Sequence, residues 1–431
     1  MIGKYKIEHL RKHLSHSIFK NISWLFLDKI CRLGVGLLVS VWVTKYLGPH
    51  DFGKWNYAIA VVALVSAFSN LGLDQVLVKK LVENSKEEDV LLGTAFFMRC
   101  AGSVIGIVVS LSYILLFNKN DHELLIITFL TSGTLIFQSF DVIDLKLQSV
   151  LKSKYSVLIK NGAFILCSIL KVIIIYKHLS LMYFVIITVI EGVLGAWGLI
   201  LVYGGMRVTK WRLNLVYATN LLKECWPLIL SGIIIMLYMR IDQVMLGKIM
   251  GDKAVGLYTV SVKFSELWYF IPTVFVSSFF PKLIQLKSDG EAYKNVCLKL
   301  FKILFFISFG IGIVISFVAN DLISFLYGQL FIASAFALKI SIWTAVFVFW
   351  GVAAANMLVV EDLNKHNLYK SFHGVIINVI LNLILIPTFG INGAAIATLI
   401  SQAYASYFYY LFRSETRHIF ILQTKSILFF L

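Results

Sequence analysis

Leu47-Gly48-Pro49-His50-Asp51-Phe52-Gly53-Lys54-Trp55 is a short polar, glycine-bearing turn between two long apolar runs. Met250-Gly251-Asp252-Lys253-Ala254-Val255-Gly256-Leu257-Tyr258 repeats its plan 203 residues later. Each copy has a glycine, four residues, a second glycine, and an aromatic residue two positions on. In each copy the apolar run that follows ends on a lysine, Lys79 and Lys282, again 203 apart. Six runs separate the copies, so the two halves cross a bilayer in the same direction. Such parallel repeats are related by an axis along the membrane normal, with the substrate site between them.

The chain around these turns has 431 residues, 59% apolar or aromatic and 14% charged, against about half and a quarter in an ordinary soluble domain. That balance excludes a cytosolic globular protein. A hydrocarbon core about 30 Å thick takes about 20 helical residues to cross. Twelve runs qualify: 22–44, 55–77, 90–117, 124–145, 155–176, 181–203, 225–247, 256–280, 298–319, 336–358, 370–388 and 391–412. They are far too continuous for the alternating strands of an outer-membrane barrel. No short apolar core with a cleavage site follows the basic first twenty residues, so no signal peptide is expected. Residues 419–431 are apolar but too short to span, and are expected to form an interfacial segment.

Lysine and arginine test the count independently. With the N-terminus in the cytoplasm, the inside segments hold 26 basic residues. The outside segments hold six: Lys45, Lys54, Lys119, Lys177, Lys248 and Lys253. This is the positive-inside signature, and miscounting one span would mix the two sets beyond the error. The formal charge of +16 is therefore mostly topology, and no nucleic-acid partner is implied. Five cysteines without a CxxC pair give no disulfide framework or zinc site, and no metal or cofactor is expected.

Seven bases fall inside the runs: Lys29, Arg32, Arg99, Lys171, Arg240, Lys263 and Lys339. Each costs about 2.5–3.5 kcal/mol at a helix centre on insertion scales, so most must face protein, pair or snorkel. Lys171 and Lys339 lie near outer ends and are expected to snorkel. In the first run Asp28, Arg32, Gly36 and Ser40 recur every four residues on one side. Asp28 and Arg32 either pair locally or face a cavity, while Lys29 has no acid at helical spacing. Arg240 and Asp242 point in nearly opposite directions, and Arg240 is expected to face the cavity. Lys263 and Glu266 share a side of run eight. Glu191 is a lone acid in run six, serving either packing or a proton path.

Polar stripes on run four (Thr134, Gln138, Asp141) and run eleven (Ser371, Gly374, Asn378, Asn382) read as helix-to-helix hydrogen bonding. The bases fall at two depths, Lys29, Arg32 and Arg99 in the cytoplasmic half and Lys54, Arg240 and Lys263 in the outer half. A cavity lined this way suits a phosphate-bearing head group, because Arg and Lys bind phosphate through charge-assisted hydrogen bonds.

Lys45-Tyr46-Leu47-Gly48-Pro49-His50-Asp51-Phe52-Gly53 resembles the "YLGPxxFG" segment of the O-antigen and polysaccharide flippases. Leu71-Gly72-Leu73-Asp74, Arg240-Ile241-Asp242-Gln243-Val244-Met245-Leu246-Gly247 and Val255-Gly256-Leu257-Tyr258 resemble further segments of the same Wzx-type family, within the multidrug/oligosaccharidyl-lipid/polysaccharide exporter superfamily. The likeness covers essentially the whole chain. It implies a V-shaped, alternating-access exporter of two six-helix lobes, moving undecaprenyl-diphosphate-linked oligosaccharide to the outer leaflet of the inner membrane. Related lipid II flippases use cationic cavity residues on helices one, two and eight. By position these are Lys29, Arg32, Lys54 and Lys263 here.

The expected architecture is thus an all-α polytopic membrane protein of twelve transmembrane helices. Residues 1–204 form one lobe, 205–224 a cytoplasmic linker, 225–413 the second lobe and 414–431 a cytoplasmic or interfacial tail. Both termini are expected in the cytoplasm. The expected substrate-binding residues are Lys29, Arg32, Lys54, Arg99, Arg240 and Lys263, and the candidates for coupling to H+ or Na+ are Asp28, Asp74, Glu191 and Glu266. Lipid-linked O-antigen or capsular repeat units, membrane lipids, and the polymerase and chain-length proteins of a glycan pathway are the expected partners. No bond is made, so no enzyme is expected. A drug or cation exporter of the same fold is the first alternative, although it favours an acidic cavity. A membrane polymerase or acyltransferase is the second; it lacks the large outer loop and the mid-membrane histidine such chemistry needs.

Overall fold

The computed structural model describes the backbone of residues 2–84, 87–205 and 211–427, with side chains described from Arg32 onward and at Trp24. The described backbone is helical, with short turns between helices. The first half carries α1 (Ile2–Asn70), α2 (Leu73–Glu83), α3 (Glu88–Phe117), α4 (His122–Gln138), α5 (Asp141–Ser149), α6 (Ser153–Tyr176) and α7 (Leu181–Gly204). The second carries α8 (Leu215–Met250), α9 (Asp252–Glu266), α10 (Phe270–Gln285), α11 (Gly290–Tyr327) and α12 (Ser334–Ser341). It ends with α13 (Thr344–Val360), α14 (Lys365–Ser406) and α15 (Arg417–Ile427).

Ten described segments are long and apolar enough to cross a membrane. The first, Arg32–Glu83 with 52 residues, and the last, Lys365–Ser406 with 42, far exceed the length one crossing needs. Each contains a non-helical glycine, Gly48 (φ 71°, ψ 176°) and Gly390 (φ 60°, ψ −134°). At Gly48 only a residue without Cβ adopts this backbone at little cost, and Pro49, whose ring pre-sets a helical φ and whose missing N–H needs no partner, restarts the helix. Gly251 (φ 82°, ψ 179°) does the same ahead of α9, where Asp252 sits in the first turn and complements the helix dipole.

The interruptions recur between halves. Gly48 and Gly251 share a conformation 203 residues apart. The break between α4 and α5 at residues 139–140 recurs 203 later as the break between α12 and α13 at 342–343. α13 then runs 17 residues where α5 runs nine, and the offset lengthens accordingly. The left-handed residues Leu151 and His178 correspond to Asp362 and Gly390, 211 and 212 residues on.

The chain divides into two compact units. The N-terminal unit comprises Met1–Tyr46 and Val61–Ile233, and the C-terminal unit Leu47–Ala60 and Ile234–Leu431. The divisions therefore fall inside α1 and α8 and not in the 205–224 segment, because the turn after Gly48 packs with α9.

Within the N-terminal unit, Leu73, Leu77 and Leu81 form a stripe along α2 against Leu91, Leu92 and Ala95 of α3 and Val142, Ile143 and Leu147 of α5. In the C-terminal unit, Phe349, Trp350, Ala353 and Met357 of α13 pack on Leu300, Phe301 and Leu304 of α11 and on Tyr409 and Tyr410. Where lipid is the alternative solvent, such packing is held by dispersion and close fit more than by escape from water.

The tail packs on the C-terminal unit: α15 buries Ile419, Leu422, Gln423 and Ser426 there. Gln423 Nε2 donates to the Ser406 carbonyl at 2.9 Å, and Tyr407 and Thr424 hydroxyls meet at 2.8 Å. The four polar residues that break the apolar run at 423–426 include three of these anchors.

Candidate functional site

Among the described residues, each unit has a cavity with polar groups in its wall. The first, about 300 Å³, is lined in the N-terminal unit by Arg32, Thr134, Phe137, Gln138, Asp141, Lys160, Ala163, Thr188, Glu191, Gly192, Gly195 and Ala196. The helical period explains the set: Thr188, Glu191, Gly192, Gly195 and Ala196 fall on one side of α7, and Lys160 and Ala163 on one side of α6. Glycine and alanine leave the volume, and the polar residues project into it.

Its charges are already matched. Lys160 Nζ lies 2.8 Å from both Asp141 and Asp144. Lys171 Nζ lies 3.4 Å from Glu191. The Arg32 guanidinium sits 5.3 Å from the Phe164 ring centroid, within cation–π range. Lys171 therefore pairs inside the bundle where snorkelling was expected, and Glu191 is not a lone acid. Both follow from facing positions on α6 and α7, which no spacing within one helix reveals. The span-four stripe also lines this cavity, where helix-to-helix bonding was expected.

The second cavity, about 210 Å³, lies in the C-terminal unit and includes Tyr238, Asp242, Tyr258, Ser265, Glu266, Tyr269, Thr398 and Gln402 in its wall. Asp242 is 4% exposed. Its Oδ2 accepts from the Tyr258 hydroxyl at 2.5 Å and the Thr398 hydroxyl at 3.3 Å, and its Oδ1 from the Gln243 amide at 2.8 Å. Asn378 donates toward Thr398 and Ser401 (3.4 and 3.3 Å), and Asn382 donates to Asn378 at 2.9 Å. The span-eleven stripe thus bonds from helix to helix as expected.

Arg240 lies 3.6 Å from Glu266, whose carboxylate lines this cavity. Asp242 and Glu266 both line this cavity, and Arg240 pairs with Glu266. Which neighbours Asp242 meets was not readable from its spacing to Arg240. The residues that settle it, Tyr258 and Thr398, are 16 and 156 positions away.

The remaining expected residues are dispersed. Arg99 is buried at 2% exposure and ion-paired with Asp74, whose side chain is 64% exposed. Lys54 is buried in the C-terminal unit. Lys263 Nζ stands 4.8 Å from the Phe52 ring centroid. Asp28 and Lys29 lie outside the described residues. Among the described residues no cluster of His, Cys, Asp and Glu could hold a metal ion.

Comparison with known proteins agrees in fold and family. Residues 43–336 match the family described as "Polysaccharide biosynthesis protein". The chain is 21% identical over 407 residues to "Capsular polysaccharide biosynthesis protein CapF" of Staphylococcus aureus, covering 91% of this chain and 98% of that one. It is 32% identical over 178 residues to "Probable flippase AglR" of Haloferax volcanii, a match spanning 40% of this chain and 37% of the relative. Among solved structures, an inward-facing multidrug resistance MATE family transporter superposes with TM-score 0.74 at 16% identity, over 94% and 99% of the two chains. The lipid II flippase MurJ superposes with TM-score 0.71 at 16% identity, over 95% and 91%.

Proposed function

The chain belongs to the polysaccharide biosynthesis protein family, and from that we propose that it is a flippase. Its substrate is an undecaprenyl-diphosphate-linked oligosaccharide, an O-antigen or capsular repeat unit. Transfer runs from the cytoplasmic to the outer leaflet of the inner membrane by alternating access. In this reading the chain crosses the membrane twelve times with both termini in the cytoplasm, the two longest segments folding back at Gly48 and Gly390. The polymerase and chain-length proteins of the same glycan pathway act next to it.

One observation carries the reading: a hollow lined by Arg32, Asp141, Lys160 and Glu191 inside an otherwise apolar bundle. Polar groups at membrane depth are tolerated where they pair or line a water-filled path, and mark the route of a polar cargo. Arg32 of the N-terminal unit contributes to diphosphate binding, as do Lys54 and Lys263 of the C-terminal unit, and Lys29 is a further candidate by its position in the sequence. Arg99 and Arg240 are held by acid partners and position them. Coupling to H+ or Na+ falls to the carboxylates Asp28, Asp74, Glu191 and Glu266, to which the buried Asp242 is added.

The test is reconstitution into vesicles with a labelled polyprenyl-diphosphate oligosaccharide, following leaflet transfer with and without a pH or sodium gradient. Transfer above protein-free vesicles is expected, and its absence under every gradient removes the proposal. A second reading, a drug or cation exporter on this fold, is favoured by the two carboxylates in the C-terminal cavity wall. Uptake of a lipophilic cation in the same vesicles, with no movement of the lipid-linked sugar, would select it.

A further inference from the structure

We propose that the cavity of the N-terminal unit is a subsite for one neutral sugar ring, sharing Arg32 with the groups that hold the diphosphate; the inference rests on the flippase reading for the cargo's identity. Three bases (Arg32, Lys160, Lys171) and three acids (Asp141, Asp144, Glu191) stand in and directly behind this wall. A diphosphate entering would meet the lining carboxylates Asp141 and Glu191 beside bases that they and Asp144 already neutralise, so no net positive charge is left to hold it. A hexuronate would bring the same difficulty on a smaller scale. A neutral polyol has no such cost. Its hydroxyls donate to the outward lone pairs of Asp141 and Glu191 and accept from Lys160 and Arg32, giving charge-assisted hydrogen bonds while every ion pair stays intact.

Size points the same way. About 300 Å³ is the lower limit of small-molecule pockets, room for one ring and not for a repeat unit. Phe137 supplies an apolar face beside Gly192, where a Cβ would stand 3.5 Å from the phenyl ring. Thr188 and Gln138 add neutral hydrogen-bonding groups around the rim. The result is a site that distinguishes by hydroxyl pattern and rejects by charge, so it sets which first or second sugar the protein accepts.

Gly195 lines the hollow, and a Cβ there meets nothing within 4 Å. Gly195→Trp therefore fills the cavity, and Gly195→Ala is the folded control; Gly192→Leu is a second filling variant should the indole prevent folding. Purified full-length protein is heated with three probes: methyl glucoside, undecaprenyl diphosphate, and undecaprenyl diphosphate carrying one glucose. A ligand that binds only the folded state raises the unfolding midpoint. In wild type and Gly195→Ala, methyl glucoside alone should raise the midpoint, and the glucosylated lipid should raise it more than the bare lipid. In the filled variants apparent affinity for methyl glucoside should fall by about tenfold or more, while the bare lipid still stabilises. Replacing glucose by glucuronate should abolish the extra stabilisation in wild type.

If the filled variants keep the full response to methyl glucoside, or glucuronate binds as well as glucose, the subsite is refuted and the flippase reading stands. If the bare lipid fails to stabilise any protein while methyl glucoside behaves as described, the subsite stands and the diphosphate reading falls.

Discussion

Gly53 and Gly256 each press against the backbone that begins the other's helix. A Cβ on Gly53 would stand 1.8 Å from the Asp252 carbonyl oxygen, and one on Gly256 would stand 2.0 Å from the Pro49 carbonyl oxygen. The two contacts are one relation applied twice, since Pro49 and Asp252, like Gly53 and Gly256, are 203 residues apart. Small residues let membrane helices approach to backbone contact, where dispersion is greatest. Gly53→Ala or Gly256→Ala must push these helix starts apart, and each should cost about 1–3 kcal/mol by overpacking. The double variant should cost less than the sum, because the first displacement relieves the second. Thermal unfolding in detergent measures all three.

The Arg99–Asp74 pair is lopsided, with a buried guanidinium and a mostly exposed carboxylate. Removing one partner of a fully buried pair costs about 3–5 kcal/mol; solvent around Asp74 lowers that here to about 1–2 kcal/mol. Asp74→Ala should lower the unfolding midpoint, and Asp74→Ala with Arg99→Met should restore part of the loss. Equal midpoints for the single and double variants would show that the pair carries no coupling.

Asp242 is the acceptor on which the Tyr258 and Thr398 hydroxyls converge. Asp242→Leu leaves the Tyr258 and Thr398 hydroxyls only each other, 3.3 Å apart, so one of the two donors loses its acceptor at a cost of about 1–3 kcal/mol. Asp242→Asn keeps an acceptor oxygen and should cost less than half as much. Unfolding midpoints of the two variants, read beside Tyr258→Phe, check the order.

Arg32→Ala should lower surface glycan in a complementation assay at unchanged protein level and with only a small fall in unfolding midpoint, since the residue lines a cavity and stands over Phe164. Arg99→Ala should lower both glycan and midpoint, because it removes the partner that Asp74 has inside the bundle. Wild-type glycan from Arg32→Ala would take this residue out of the transport path.

Near the tail, His366 Nε2 lies 2.8 Å from Glu415, and His366 Nδ1 lies 2.8 Å from the Tyr409 hydroxyl. The hydrogen bond with His366, followed by the charge of Lys365, holds the Glu415 carboxyl below its usual range. A depressed carboxyl contributes stability at pH above its unfolded value of about 4.5, and that contribution is lost as pH falls through the lowered value. A spin label at the exposed Lys425 should therefore become more mobile on acidification below about pH 4.5. Glu415→Gln should flatten this acid-side change.

Much of this protein is written in local pattern. Length and composition of the apolar runs placed α3, α6 and α7 within a few residues, because a helix in lipid must satisfy its backbone internally. Gly48 and Gly251 mark breaks, and their spacing exposed the repeat. The breaks at residues 139–140 and 342–343 carried no comparable signal, since neither pair contains glycine or proline. They were visible only once both halves had folded.

Side-chain partnerships were another matter. Arg32, Glu191 and Glu266 were recognisable as costly charges, but Lys171 against Glu191 and Lys160 between Asp141 and Asp144 needed α5, α6 and α7 laid side by side. The neighbours of Asp242 stayed unread, because helical spacing tells which residues share a face and not what that face meets. The chain's own order of residues was thus enough to read membrane-length helices and their duplication, for hydropathy acts residue by residue. Which charges stand paired, which line a hollow, and how closely Gly53 approaches Asp252 were decided by packing, where free energy depends on neighbours that are distant along the chain.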